Sequence, residues 1–309
     1  PVLALGVGVI VAGVLQVWLQ LRPLRERGFA PQLLFAPGDP SIRRLGWILL
    51  PSLLGASAYQ LHTITTRAIA SFFGDGPVSY LYYATRLLEL PLGVFVFALS
   101  MASLPSLSRL VGKGDRAELQ RSFSETLGLA LALALPCSAG LILLREPIVA
   151  LLFGWNPDHF GSEAVRLCAL ALLYYTLGLV PISLARIYVN LCVAHENTRT
   201  GAQAAVVSLI VNVVGALLLV GPLPYGTLWD SVIDVQRALV VADFGFLGLA
   251  VATTLAAAAN AIWVMTAAHH RYGANLPARD WLGYLRLVAA TGVLSVAVGI
   301  GVWLLPSQE

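Results

Sequence analysis

The stretch Tyr82-Tyr83-Ala84-Thr85-Arg86-Leu87-Leu88-Glu89-Leu90-Pro91 sets a cation, an anion and a proline inside a long apolar run. Arg86 and Glu89 are three residues apart, so on a helix they share a face and can pair. Pro91 has no N–H to donate, and its ring displaces the carbonyl four residues back, that of Leu87. A kink and a loosened carbonyl are therefore expected beside Arg86. Guanidinium stays charged and presents a planar fork of donors, which suits phosphate. Two readings stand: Arg86 binds an anionic substrate group, or it forms a satisfied internal pair with Glu89 or reaches for the membrane surface.

Ionisable groups inside apolar spans usually face a cavity or a partner. Arg186 lies deep in a second apolar run, five residues after Pro181, where cavity-facing and surface-reaching readings are balanced. Arg67 lies near the end of its run, where reaching outward is favoured. Gln60, His62, Thr63, Thr65 and Thr66 form an unusually polar stretch, better suited to a wet cavity wall than to lipid contact. His62 has the chemistry to titrate, although a hydrogen-bonded interior role is the commoner one. No paired carboxylates on a loop, metal-ligand cluster or phosphate-binding glycine loop is present, so no catalytic residue, metal site or cofactor is expected. Cys137, Cys168 and Cys192 sit singly in apolar runs, without disulfide or ligand spacing. No base-stacking aromatics interleave the basic residues, which excludes a nucleic-acid partner.

The elements that must hold these residues follow from composition. Only 11% of the 309 residues are charged and 58% are hydrophobic, with mean hydropathy +0.80. Water-soluble domains carry about 25% charged residues, so lipid must be the solvent for much of this surface. Eight apolar segments are read, at 2–21, 45–73, 78–106, 119–144, 164–194, 202–221, 246–268 and 283–305. Lipid admits helices or closed barrels, and runs of this length without alternation are helices. The predicted class is an all-α polytopic membrane protein.

Counting the loop after the first segment as inside, 13 of the 19 arginines and lysines fall inside and 3 outside, the others being Arg67, Arg86 and Arg186. The positive-inside rule makes those loops cytoplasmic. Residues 22–44 read as a basic cytoplasmic linker, and 222–245 as an outer connector. Alanine-rich 256–259 and the pair Ser295/Gly299 suit close helix packing. The run from Pro1 has no basic leader or cleavage site and so is not a signal peptide; it is expected to begin inside a longer protein.

The block Val78-Ser79-Tyr80-Leu81-Tyr82-Tyr83-Ala84, Arg86-Leu87, Leu90-Pro91-Leu92-Gly93-Val94-Phe95 and Leu104-Pro105-Ser106-Leu107-Ser108-Arg109 resembles the MurJ (MviN) lipid II flippases, within the wider family of multidrug, oligosaccharidyl-lipid and polysaccharide exporters. Gly13-Val14-Leu15-Gln16, Gln60 with Ala70-Ser71, Pro147-Ile148-Val149, Leu151-Leu152-Phe153, Gly178-Leu179, Thr198-Arg199-Thr200, Asn212 and Gly248-Leu249-Ala250 match in family order over nearly the whole chain. The first block is specific, and the others are strong together.

The resemblance implies two six-helix lobes around a cavity, with two extra C-terminal helices. On that map residues 1–21 are the last helix of the first lobe and 22–44 the linker. Residues 45–272 are the second lobe, and 273–309 hold one extra helix. The implied substrate is the undecaprenyl-pyrophosphate-linked peptidoglycan precursor, moved across the bacterial inner membrane. Arg86 and Arg186 map to pyrophosphate-binding positions, with Gln60, His62, Thr66, Glu89 and Asn212 lining the cavity. The expected partners are that lipid-linked precursor, membrane lipids and cell-wall synthesis proteins. The membrane potential or an ion gradient is the expected drive.

The sequence departs from the family where Thr85 and Thr66 replace common Asp residues, His62 an Asn and Gly201 a Pro. Those changes weigh against a carboxylate-based ion site. The rival readings are another exporter of the superfamily, carrying polysaccharide lipid or drug, and a membrane-embedded prenyl-lipid enzyme. A non-transporting scaffold for cell-wall enzymes is a third.

Overall fold

With almost no water-facing polarity, the backbone must satisfy its own hydrogen bonds, and it does so by helix formation. The computed structural model describes residues 2–26, 28, 57, 60–156, 158, 160–223, 230–273 and 281–304. The helices are α1 (Val2–Glu26), α2 (60–70), α3 (Pro77–Pro91), α4 (Ala98–Lys113), α5 (Arg116–Leu143), α6 (Arg145–Phe153), α7 (Ser162–Leu177), α8 (Leu179–Ala194), α9 (Thr198–Leu219), α10 (Asp230–Leu239), α11 (Leu247–Tyr272) and α12 (Trp281–Leu304). Six stretches among the described residues are long and apolar enough to cross a bilayer: Gly6–Glu26, Pro77–Lys113, Arg116–Leu143, Ser162–Ala194, Thr198–Leu219 and Leu247–Tyr272. They coincide with six of the eight expected segments. Of the expected 45–73 segment, α2 is its described end, and residues 45–56, 58 and 59 lie outside the described residues. The eighth segment is the 24-residue α12.

The chain divides into two compact units, Pro1–Ile48 and Leu49–Glu309. In the first, α1 is 25 residues long, about 37 Å at 1.5 Å per residue, enough to cross the roughly 30 Å hydrocarbon layer. The helix runs five residues past the expected boundary. There an i, i+4 pair between Arg22 and Glu26, 3.4 Å apart, supports its last turn.

In the second unit, sequence signals end the helices where the chain turns. Gly114 (φ 70°) and Gly273 (φ 65°) take the left-handed conformation that closes α4 and α11. Asp115 caps α5 by accepting from the Glu118 N–H at 3.1 Å, and Asn197 caps α9 through the Thr200 N–H at 3.3 Å. Pro91 does not break its helix. It is followed by a six-residue π-helix, Leu92–Phe97, which carries the chain from α3 into α4. Such wide turns absorb a missing backbone donor, so the expected disturbance appears as a change of helical phase.

The expected single segment 164–194 is instead two helices meeting at Gly178. The break frees the Tyr174 carbonyl, and Thr254 Oγ1 on α11 donates to it at 2.6 Å. A Cβ at Gly178 would come within 3.3 Å of that hydroxyl. Close packing also sets α9 against α11, where a Cβ at Gly215 would lie 3.1 Å from the Ala252 methyl. Ala252, Ala256 and Ala261 are buried along the same helix. Large apolar residues such as Met101, Leu151 and Ile262 are exposed outward. An apolar exterior over a small-residue interior is what lipid solvation selects.

The described connections of this unit sort to two ends. At one, Tyr80 meets Phe160 and Phe246 at 5.9 and 6.0 Å, and Tyr83 stacks on Phe153 at 4.5 Å. At the other, Asn197 donates to the Tyr272 hydroxyl at 3.0 Å, Arg271 donates to Thr200 at 2.9 Å, and His195 stacks on Tyr272 at 4.0 Å. The first group comes from connections counted as outside and the second from connections counted as inside. Packing thus reproduces the alternation drawn from charge alone.

Candidate functional site

One face of α3 is buried through Leu81, Ala84, Leu87 and Leu88, and the opposite face carries Tyr82, Arg86 and Glu89. Arg86 Nη1 donates to Glu89 Oε2 at 2.6 Å, as their spacing predicts. Their side chains are 54% and 41% exposed, so this is an open pair on a membrane-spanning helix. The Arg86 guanidinium also lies over the Tyr82 ring, 4.8 Å from its centroid. Arg67 reaches the same ring from α2, at 5.9 Å. The chain reverses between the two helices through Ser71–Phe73, Gly74 (φ 81°) and Gly76 (φ 115°). Position 67 lies four residues before that turn and position 82 six after it, so the reversal brings them side by side.

Behind this face, on the core side of α3, lies a polar network. Thr85 Oγ1 donates to the Leu81 carbonyl at 2.7 Å. The buried Tyr175 hydroxyl of α7 is within hydrogen-bonding reach of Thr85 and of Thr253 on α11. Thr253 Oγ1 donates to the Leu249 carbonyl at 2.8 Å. Its oxygen can still accept from other partners. Asn212 Nδ2 of α9 donates to it at 3.3 Å. His62 Nε2 of α2 lies 3.2 Å away, its role as donor or acceptor set by the ring tautomer. Asn212 Oδ1 and Thr66 Oγ1 are buried without a hydrogen-bond partner in the protein. Five helices thus meet at one polar cluster.

The sequence-predicted residues therefore fall into three places. Arg86 and Glu89 share the exposed α3 face. His62, Thr66 and Asn212 are buried or half-buried, with His62 and Asn212 in the network, while Gln60 is exposed at the start of the described part of α2. Arg186 is exposed on α8, its guanidinium 4.4 Å from the centroid of the Phe97 ring. Phe97 follows Arg86 by eleven residues along the continuous α3–α4 rod, roughly 16 Å at helical rise. Arg86 and Arg186 lie over different rings, those of Tyr82 and Phe97. Arg67, Tyr82, Thr253 and Tyr175 belong to these clusters and were not picked out as site residues from sequence. A second polar clamp, also unforeseen, joins α8 to α4: Asn190 Nδ2 donates to the Ser100 carbonyl and hydroxyl, both at 2.8 Å.

Among the described residues no group of three His, Cys, Asp or Glu could hold a metal, and Cys137, Cys168 and Cys192 are free thiols. The α3 face can do one thing chemically. It presents guanidinium donors, beside an aromatic ring, to an anion on an otherwise apolar surface.

The model of the family described as lipid II flippase MurJ matches residues 1–308. The chain is 30% identical over 300 residues to the lipid II flippase MurJ of Burkholderia cenocepacia, covering 96% of this chain and 54% of that protein. It is 26% identical over 309 residues to a probable lipid II flippase MurJ of Haemophilus influenzae, covering 98% and 55%. A match of 33% over 206 residues to a probable lipid II flippase MurJ of Bdellovibrio bacteriovorus covers 67% and 39%. The chain thus spans about half the length, or less, of the curated relatives it matches. A solved structure, a lipid II flippase MurJ in an inward closed conformation, superposes with TM-score 0.65 at 20% identity, over 88% of this chain and 55% of that one. That likeness establishes the fold.

Proposed function

Since this chain belongs to the lipid II flippase MurJ family, we propose that it moves the undecaprenyl-pyrophosphate-linked peptidoglycan precursor, lipid II, across the bacterial inner membrane for cell-wall synthesis. The observation that carries this reading is the open Arg86 guanidinium on α3. Glu89 and Tyr82 engage part of its fork of five donors, and the side chain is 54% exposed. A pyrophosphate head cannot enter hydrocarbon unaided, because desolvating an unpaired ionised group costs many kcal/mol. An arginine-bearing cavity wall offsets that penalty while the prenyl tail stays in lipid. Rocking of helical lobes then exchanges access between the two sides, driven by the membrane potential or an ion gradient. The partners of this reading are the precursor, the surrounding lipids and cell-wall synthesis proteins.

The test expresses the reading frame that encodes this chain in cells depleted of their own lipid II flippase. Rescue of growth is expected, with loss in Arg86→Ala at near-normal membrane abundance. Arg86→Lys should retain part of the rescue, since charge survives and the planar fork does not. No rescue by the unmodified protein would refute the function. Recovery in the Arg86→Ala, Glu89→Ala double variant would show that Arg86 merely neutralises Glu89.

A further inference from the structure

A second guanidinium, that of Arg67, lies over the same Tyr82 ring as Arg86, and among the described residues no acidic group pairs with it. Lying 5.9 and 4.8 Å from one ring centroid, the two guanidinium carbons are less than about 11 Å apart. Both side chains are exposed on the same helical hairpin. Three formal charges gather there, two positive and one negative, on segments where uncompensated charge is expensive. The face therefore lacks about one negative charge. Tyr82 does not supply it, because a ring quadrupole attracts cations without neutralising them.

We propose that Arg67 is the second cation of the pyrophosphate site and the residue that distinguishes a diphosphate from a monophosphate head. The inference rests on the flippase reading and deepens it. A diphosphate bears charged oxygens on two phosphorus atoms, so two separated guanidinium forks can each take one phosphoryl group. A monophosphate offers a single centre and engages one fork. Arg86, held by Glu89, takes the first phosphoryl group. Arg67, attached to the neighbouring helix and free of a carboxylate, swings from the Tyr82 ring to the second. The turn at Gly74 and Gly76 fixes α2 beside α3, so the two forks are presented together. The pair also lies toward the end where Tyr80 and Phe160 meet, which the charge bias makes the outer side. The discrimination therefore acts on the outward half of the path.

The experiment measures binding of undecaprenyl diphosphate and undecaprenyl monophosphate to the purified protein in detergent, by native mass spectrometry. The variants are the unmodified protein, Arg86→Gln, Arg67→Gln and Arg67→Lys, each checked for its unfolding midpoint. The unmodified protein should prefer the diphosphate. Arg86→Gln should weaken both lipids. Arg67→Gln should weaken the diphosphate by about tenfold or more, the loss of one charge-assisted contact, and leave the monophosphate within about twofold. Arg67→Lys should fall between, and it carries the test if Arg67→Gln does not fold. An undiminished diphosphate preference in the Arg67 variants, with Arg86→Gln defective, would overturn the role of Arg67 and leave the flippase reading standing. Absence of binding by the unmodified protein would overturn the pyrophosphate reading itself, and this inference with it.

Discussion

Replacing Thr253 by valine keeps the shape of the side chain and removes the oxygen on which the five-helix network turns. Three contacts go, His62 Nε2 at 3.2 Å, Asn212 Nδ2 at 3.3 Å and the bond to the Leu249 carbonyl at 2.8 Å, and the Tyr175 hydroxyl is left with Thr85 alone. The third is cheap, because that carbonyl keeps its helical N–H partner. The second is expensive. Asn212 is 2% exposed and its Oδ1 is already unpaired, so the variant would bury an amide with neither end satisfied. A buried polar group left without a partner costs about 1–3 kcal/mol. His62 adds less, since it is only half-buried and can turn. The expected result is a clear drop in the detergent unfolding midpoint of Thr253→Val, with undecaprenyl diphosphate binding by the folded fraction retained, because the α3 face is untouched. Adding Asn212→Leu should restore most of the stability, since removing both partners of a buried hydrogen bond is far less damaging than removing one. An unchanged midpoint in Thr253→Val, or no recovery in the double variant, would refute the network as described.

Topology is checked by single cysteines in a cysteine-free background: an impermeant thiol reagent added outside should spare positions Lys113 and Arg199 and label Asp75. The opposite pattern would reverse the orientation. Gly215→Leu should separate α9 from α11, because even a Cβ there lies 3.1 Å from the Ala252 methyl. A loss of about 1–3 kcal/mol is expected from overpacking, measured by thermal unfolding, and Gly215→Ala should be far milder. Sodium should not stabilise the purified protein at micromolar concentration, because Thr66, Thr85 and Asn212 offer neutral oxygens where hard cations favour carboxylates. A micromolar midpoint in a sodium-dependent unfolding series would contradict this.

Helices and their order were legible because apolar length alone dictates them in lipid. The Arg86–Glu89 pair was legible because an i, i+3 spacing on one helix needs no tertiary knowledge. Arg67 was harder. It lies across the Gly74-Asp75-Gly76-Pro77 turn from Tyr82, a signal present in the sequence, yet nearness to a span end pointed to a surface-reaching role. Arg186 shows what sequence does not carry. The break at Gly178 and the π-helix after Pro91 each shift helical phase, so the faces of Arg186 and Phe97 could not be projected from Arg86. Thr253 was invisible for another reason: a threonine bonded to the carbonyl four residues back looks like any other threonine in an apolar helix. Its role depends on His62, 191 positions earlier.

The function proposed for this protein is transfer of a pyrophosphate-linked lipid across a bilayer by means of the α3 face. The most direct measurement reconstitutes the purified product of its reading frame in proteoliposomes containing fluorescent lipid II. An impermeant quencher then follows movement between leaflets under an imposed membrane potential. The account predicts transfer that depends on the protein and is abolished by Arg86→Ala in a fully folded preparation. Equal transfer by the unmodified and Arg86→Ala proteins, or none above protein-free vesicles, would contradict it.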